Sequence, residues 1–389
     1  MTTETTLPPA SPEQPATPAS AGKPVHGNPW HPTFRGVALA TWIELLRRRP
    51  STKGYIFYGI TFAAIIGLGV LAAVNAGPDK NSVAFELVVI LVLGAGMLIG
   101  PSLSATSING DSSEGVLAPL QMSRLSAGDL TFGKLFASWI VCLAALLTTT
   151  PLLAYAYTRS GWTLGEALLV VAVILFVVLA FTAVGLAWSS IAARAVASVA
   201  LTHLTTGVLV LGTLLLFAFT LPLVSEEVTV TYSYPDESGL TEEDYSDPNF
   251  DYSTLPCVTD ESTTTISHME KTAWMLLINP VVVVVESAPV IDPETYEADG
   301  RAAPGIFAQL HMAISSARLG PPDNVDQNYC DGYDDGSEWM DRQKEEAALA
   351  PNPWPGLGVT AFLLVGSLWI VVRRLRVPYK KLRSGTRVA

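Results

Sequence analysis

Charge is scarce in this chain: only 15% of its 389 residues are Asp, Glu, Lys or Arg, while 49% are hydrophobic. Several soluble domains of this combined length would need more polar surface than that. Cysteine is scarcer still, with three in all, which excludes a disulfide-dense scaffold and a multi-cysteine metal centre. No His-Glu-x-x-His motif and no Asp pair falls in the apolar stretches, so an intramembrane enzyme has no candidate constellation. The series of intramembrane carboxylates that a proton-coupled transporter uses is also missing. A phosphate-binding loop is approached once. Gly128-Asp-Leu-Thr-Phe-Gly133-Lys134 fits the pattern, but Leu135 stands where a Ser or Thr should hold magnesium. The chain is therefore expected to bind no nucleotide, metal or other cofactor of its own, to have no catalytic residues and to bind no nucleic acid. Met1 to about Pro32 is rich in Pro, Thr, Ala and Ser and lacks the charged start and apolar run of a signal peptide. It is expected to be disordered, leaving the first span to direct insertion.

What is present is long apolar sequence. Six windows suffice to cross a hydrocarbon core of about 30 Å, which takes roughly 20 helical residues. They run Gly54–Ala76, Ala84–Ser104, Gly133–Thr158, Glu166–Ile191, Val196–Leu223 and Leu357–Val372. Each is expected to be helical, because hydrocarbon offers no partner to an unpaired backbone group. The net charge of −12 averages two opposed regions. Ser225 to Ala350 holds 26 acidic residues against five basic ones, and the remainder holds 18 basic against nine acidic. The Lys and Arg of short loops set orientation. Arg35, Arg47, Arg48, Arg49 and Lys53 precede the first span, Arg124 and Lys134 flank the loop after the second, Arg194 follows the fourth, and a basic tail follows the sixth. Both termini and that loop are expected to be cytoplasmic, and the acidic region extracytoplasmic.

The expected fold is an α-helical polytopic cell-membrane protein with six transmembrane helices and a large α+β extracytoplasmic insert between spans five and six. Residues 1–32 would form a cytoplasmic tail, 33–224 the membrane domain through span five, 225–355 the acidic outer domain, and 356–389 the last span and basic tail. Phe34, Val37, Ala38, Trp42, Leu45 and Leu46 recur at helical spacing, predicting an amphipathic helix on the inner membrane surface. Ser225 to Thr265 alternates β-formers with acids and predicts strands. Residues 269–288 are apolar, but a seventh span there would place the basic tail outside. Short helices that dip into the outer leaflet, broken at Asn279-Pro280, fit better. A further apolar helix is expected over Ile306–Ala317. Cys257 and Cys330 are expected to form a disulfide rather than stay free thiols. Asp331 to Glu338 resembles a calcium loop but reads better as a solvated acidic turn, since Tyr333 and Arg342 stand at ligand positions.

Few ionisable residues enter the spans. Glu86 and Glu166 are expected to reach water at span ends, and His203 to bond to a neighbouring helix. Glu286, beside five valines, is expected to end a dipping helix or line an exit. The most informative stretch is the loop after the second span. A helix over Asp111–Leu120 would place Val116, Leu117 and Leu120 on one face, with Asp111 and Glu114 in its first turn, where they suit the helix dipole. Its surplus apolar residues suit docking to a cytoplasmic partner.

The residues Glu114, Gly115, Leu117, Leu120, Ser123, Gly133 and Lys134 resemble the signature of type-2 ABC exporter permeases, in which an acid-Gly-x-Leu run precedes Gly-Lys and the third span. This sequence departs from the pattern at Val116, at Ala118-Pro119 and at Arg124. The resemblance extends to the surface helix, six spans and an Asn-Pro break such as Asn279-Pro280, and covers roughly Thr33 to Val372 except most of the acidic insert. It implies a permease paired with a second permease subunit, identical or homologous, and with two cytoplasmic ABC ATPase subunits that bind ATP and Mg. The Asp111–Leu120 loop would seat in an ATPase groove, and the second and fifth spans would line the path. Spans so poor in charge imply an amphipathic or lipid-like cargo moved outward. The alternative is a non-transporting sensor or assembly subunit that binds a ligand or partner through the acidic outer domain.

Overall fold

The computed structural model describes residues 30–48, 52–75, 82–241, 255–289, 305–322, 326–330 and 337–376. The N-terminal tail before Trp30, the acidic turn at Asp331–Gly336 and the basic residues after Arg376 lie outside the described residues.

The chain is mostly helical. A first helix, α1 (Phe34–Arg47), precedes α2 (Thr52–Asn75) and α3 (Val83–Ala105). The loop after α3 holds α4 (Ser107–Ser113) and α5 (Leu117–Met122), and α6 (Ala127–Leu147), α7 (Thr150–Ser160) and α8 (Leu164–Ile191) follow. Next come α9 (Ala195–Gly207), a π-helical turn at Val208–Gly212, and α10 (Thr213–Thr220). Five helical stretches among the described residues are long and apolar enough to cross a membrane: Val83–Ser113, Ala127–Leu147, Leu164–Ile191, Ala195–Leu223 and Trp354–Leu375. The chain is thus a helical membrane protein. The first expected span coincides with α2, whose apolar stretch Phe62–Leu71 is shorter than those five.

The expected third span, Gly133–Thr158, is corrected to two helices. Helix α6 begins six residues earlier than expected, where Ser126 and Asp129 form a capping box, and it ends before Thr150. Pro151 then opens α7, since its missing N–H belongs at a helix start. The hydroxyls of Thr148 and Thr149 bond back to the carbonyls of Ala145 and Leu146, helping to end α6.

Between α10 and the last helix lies a three-stranded sheet with β1 (Ser225–Pro235) at its centre. Strand β2 (Cys257–Ser267) pairs antiparallel with it in the register Ser225↔Ser267 through Pro235↔Cys257. The short β3 (Gln327–Asn328) pairs parallel on the other edge. A disulfide joins Cys257 to Cys330, with Cα atoms 5.8 Å apart, so it ties β2 to the residues following β3 across the sheet. The apolar 269–288 region folds as α11 (Trp274–Leu277) and α12 (Pro280–Val285), broken at Asn279. Then come α13 (Ile306–Leu319), α14 (Ser337–Ala348) and the last long helix, α15 (Trp354–Leu375).

Helix α8 forms the centre of the bundle, with Val170, Val177, Val178, Ala180, Ala183 and Leu186 inaccessible to solvent. One core cluster joins α3, α8, α12 and α13 through Phe85, Val88, Ile174, Phe181, Val283 and Phe307. A second joins α1, α6, α8 and α15 at the opposite end of α3, through Ala40, Leu130, Leu135, Leu186, Val371 and Leu375. By contrast α9–α10 exposes Val196, Leu204, Val208, Leu211 and Phe219. Helix α1 exposes Phe34, Leu39, Trp42 and Leu46. It keeps only Ala40 and Glu44 buried, as a helix lying along an apolar surface would.

Candidate functional site

The expected helix over Asp111–Leu120 is corrected to two short helices. Gly115 separates them, and its φ of 73° is a left-handed conformation that a side chain disfavours. Its N–H donates to the Ser112 carbonyl and the Val116 N–H to that of Asp111, closing α4 as helices close before glycine. Ser189, near the end of α8, secures the other end of α4 by accepting from the N–H groups of Ile108 and Asn109 at 2.9 and 3.3 Å.

The break reverses the expected roles of the side chains. Leu117 is buried, and Leu120 packs against the chain's own core beside Leu125, Leu130 and Ala40. The apolar face is therefore mostly filled from within, and Val116 beside it is half-buried. Glu114, Gly115, Pro119, Met122, Ser123 and Arg124 are exposed instead. Met122, at 72% exposure, is the large apolar residue the loop offers outward. Sequence periodicity missed it because it assumed one continuous helix.

Lys134 was expected at the foot of the third span. It lies two turns inside α6, with 1% of its side chain exposed. Its ammonium donates to Glu44 of α1 and, at 2.5 Å, to Asp111 of α4, with the Ser107 carbonyl at 3.2 Å. Arg47 completes the cluster with two bonds to Asp111, at 2.7 and 3.3 Å. Asp111 thus accepts from two cations near the end of α4 instead of standing in a first helical turn. The Asp111 carboxylate in turn holds the Arg47 guanidinium above its usual range. A buried ammonium needs this company, since an unpaired charge there costs several kcal/mol. Arg48 adds bonds to the Leu103 carbonyl at 3.1 Å and Ser107 Oγ at 3.0 Å.

Gly133 lets α1 approach: a Cβ there would stand 2.4 Å from that of Ala40. Asp129 fixes the start of α1, accepting from the Thr33 N–H at 2.6 Å while capping its own helix through Ser126. Surface helix, loop and α6 therefore form one charge-pinned unit. The Gly128–Lys134 run is continuous helix, and its lysine is committed to carboxylates. Among the described residues, no group of three or more His, Cys, Asp or Glu is placed to hold a metal ion.

Asn279, Glu86 and Glu286 lie toward the far end of α3. Asn279 caps α12 by accepting from the Val281 N–H at 2.8 Å, and Pro280 opens that helix. Its amide also donates to the Val210 carbonyl at 2.7 Å and to Thr213 Oγ1 at 2.8 Å, joining the break to the π-helical turn. Glu86 does not reach water as expected. It is 1% exposed and accepts from the Phe307 N–H at 2.9 Å. Glu166 is half-buried and caps α8, and His203 bonds to Ser102 of α3 at 3.0 Å. Glu286 is buried against His311 at 2.8 Å and accepts from the Asn352 N–H at 2.7 Å. Nothing in the sequence spacing, 25 residues apart, pointed to His311 as its partner.

No family model matches the chain, and no curated protein matches it either. Fold and site together define a helical membrane protein whose loop after α3 is clamped by buried charge to α1.

Proposed function

We propose that the chain is the permease subunit of an ATP-driven exporter of the type-2 ABC class. In this reading it has six spans, α2 being the first, and both termini are cytoplasmic. It works with a second permease subunit, identical or homologous, and with two cytoplasmic ATPase subunits that carry ATP and Mg. The carrying observation is the Lys134 cluster, which holds the exposed loop rigidly against α1 and α6. A push on a loop fixed in this way is passed to a long helix, whereas a loop that merely connects two helices would yield.

Two further observations support the reading. Arg47, Arg48, Arg124, Arg194, Arg373 and Arg374 lie on elements gathered at the loop end of the bundle, where Ser198 bonds to the Ala105 carbonyl and Gln121 to that of Leu375. That is the pattern of a cytoplasmic face. The apolar, charge-poor exposed face of α9–α10 suits an amphipathic or lipid-like cargo and contact with membrane lipids.

The docking surface is then Glu114, Pro119, Met122, Ser123 and Arg124. The test is co-purification of the full chain with an ATPase encoded beside it. The wild-type chain is expected to retain the ATPase and stimulate its hydrolysis. Met122→Glu combined with Glu114→Arg is expected to lose both while leaving expression and folding intact. Retention and stimulation unchanged in that variant would reject the docking role. A chain that holds no ATPase would favour the sensor or assembly reading.

A further inference from the structure

A second buried charge cluster lies at the end of the bundle opposite the loop, and it grips the segment leading into α15. Three contacts hold residues 349–352: His311 Nε2 lies 3.1 Å from the Leu349 carbonyl, Arg318 donates to the Ala350 carbonyl at 3.0 Å, and the Asn352 N–H donates to Glu286 at 2.7 Å. Glu286 is fully buried at its side chain, and His311 is 6% exposed.

Both ring nitrogens of His311 face acceptors. Nδ1 lies 2.8 Å from a Glu286 oxygen, and Nε2 meets a backbone carbonyl, which has no proton to give. Glu286 has the surroundings of a carboxylate, with the Asn352 N–H on its other oxygen and Arg318 at 3.7 Å. The arrangement is satisfied when protons sit on both nitrogens. Beside the Glu286 carboxylate a neutral ring keeps its proton on Nδ1, and Nε2 can then accept only from the Ser315 hydroxyl 3.4 Å away. That choice leaves a lone pair facing the Leu349 oxygen, so the strap contact becomes repulsive.

We infer that Glu286 and His311 form a proton-binding latch: with the proton bound the strap at 349–352 is closed on α13, and loss of the proton to water releases it and the start of α15. Among the described side chains, the neighbouring elements contribute these other charges. Arg318 shares α13, and Glu86 of α3 holds the Phe307 N–H at the first turn of α13. Glu270 and Lys271 lie on the turn packed against α13, and Glu166 is the one ionisable residue of α8. On α14, Arg342 pairs with Glu345 and Glu346, and Lys344 lies between them. The strap itself carries no ionisable side chain.

The test uses the full chain in lipid nanodiscs with 15N-labelled histidine, the His311 signals being those lost in His311→Gln. Two protonated nitrogens are expected wherever the Asn352 amide is protected from exchange. As pH rises, loss of one proton and a roughly tenfold rise in Asn352 exchange above the intrinsic trend are expected at the same pH. Glu286→Gln is expected to uncouple the two changes, because an amide can donate to Nδ1 and let a singly protonated ring keep its Nε2–H on the Leu349 carbonyl. In the wild-type chain, a singly protonated ring beside a protected Asn352 amide would overturn the latch. So would a wild-type ring that loses its proton while the strap stays closed, or a Glu286→Gln variant in which the two changes still coincide.

Discussion

Replacing Lys134 by Met removes one charge while keeping most of the side chain's volume, so packing changes little and electrostatics dominates. The ammonium is 1% exposed and stands between carboxylates whose side chains are 8% and 7% exposed. Removing one partner of a buried ion pair costs about 3–5 kcal/mol, because the other charge stays buried. Here Arg47 remains within 3.5 Å of Glu44 and keeps both bonds to Asp111. The lower end applies, about 3 kcal/mol, or roughly a hundredfold in the folded-to-unfolded ratio. Adding Glu44→Leu removes the stranded carboxylate. The double variant is then expected to cost about 2 kcal/mol less than the sum of the single changes. Urea unfolding in mild detergent, followed by tryptophan fluorescence with the slope checked for constancy, measures all three variants. A loss under about 1 kcal/mol for Lys134→Met, or strict additivity in the double variant, would refute the reasoning, since both mean that water reaches these charges.

Replacing Cys257 and Cys330 together by Ser opens a covalent link spanning 73 residues. Chain entropy sets the expected loss near 4 kcal/mol, read as a lower urea midpoint for the three-stranded sheet; an unchanged midpoint would show that the link constrains nothing. Gly133→Val drives a methyl-bearing carbon into Ala40 of α1, for an expected overpacking cost of about 1–3 kcal/mol and faster tryptic cleavage at Arg47 or Arg48. Bonds to Glu226 first and Glu270 second hold the His268 imidazolium above the ordinary histidine range. Because the folded-state pKa is the higher one, this link between β1 and residues 269–271 is fully present below about pH 6.5 and lost as pH rises through the folded value. An NMR titration of His268 checks the direction, and Glu226→Gln is expected to lower the midpoint.

The long apolar windows were legible because a helix in hydrocarbon must satisfy its own backbone, so run length alone marks it. The strands, the Asn279 break and the Cys257–Cys330 bridge were legible for similarly local reasons of alternation, proline chemistry and the presence of just two cysteines in the acidic region. The loop was misread because a hydrophobic periodicity was carried through Gly115, where the chain turns left-handed and the pattern restarts in a new helix. Lys134 was misplaced because its apolar window was assumed to begin at Gly133, whereas the Ser126 cap starts the helix at Ala127. Its partners, 90 and 23 residues away, are set by how α1 and α4 pack, which no spacing in the sequence records.

Where the described buried charges sit explains why the accessory elements hold their places. Between long helices the polar contacts include hydroxyl and indole bonds: Ser104 to the Thr182 carbonyl, Ser198 to the Ala105 carbonyl, and Trp188 to Thr205. Lipid tails are as apolar as leucine, so such spans associate by packing, and modest bonds of this kind suffice. The buried carboxylates do something else. Glu44 and Asp111 meet Lys134 to hold α1 and α4, Asp129 holds the start of α1, Glu86 holds the start of α13, and Glu286 holds the strap before α15. Each joins a short or surface element to the bundle. Helix α1 buries a single apolar residue, Ala40, and charge-assisted bonds supply direction that its packing does not. Neutralising Asp129 or Glu86 should therefore loosen α1 or α13 locally, raising hydrogen exchange there, while the long helices stay protected.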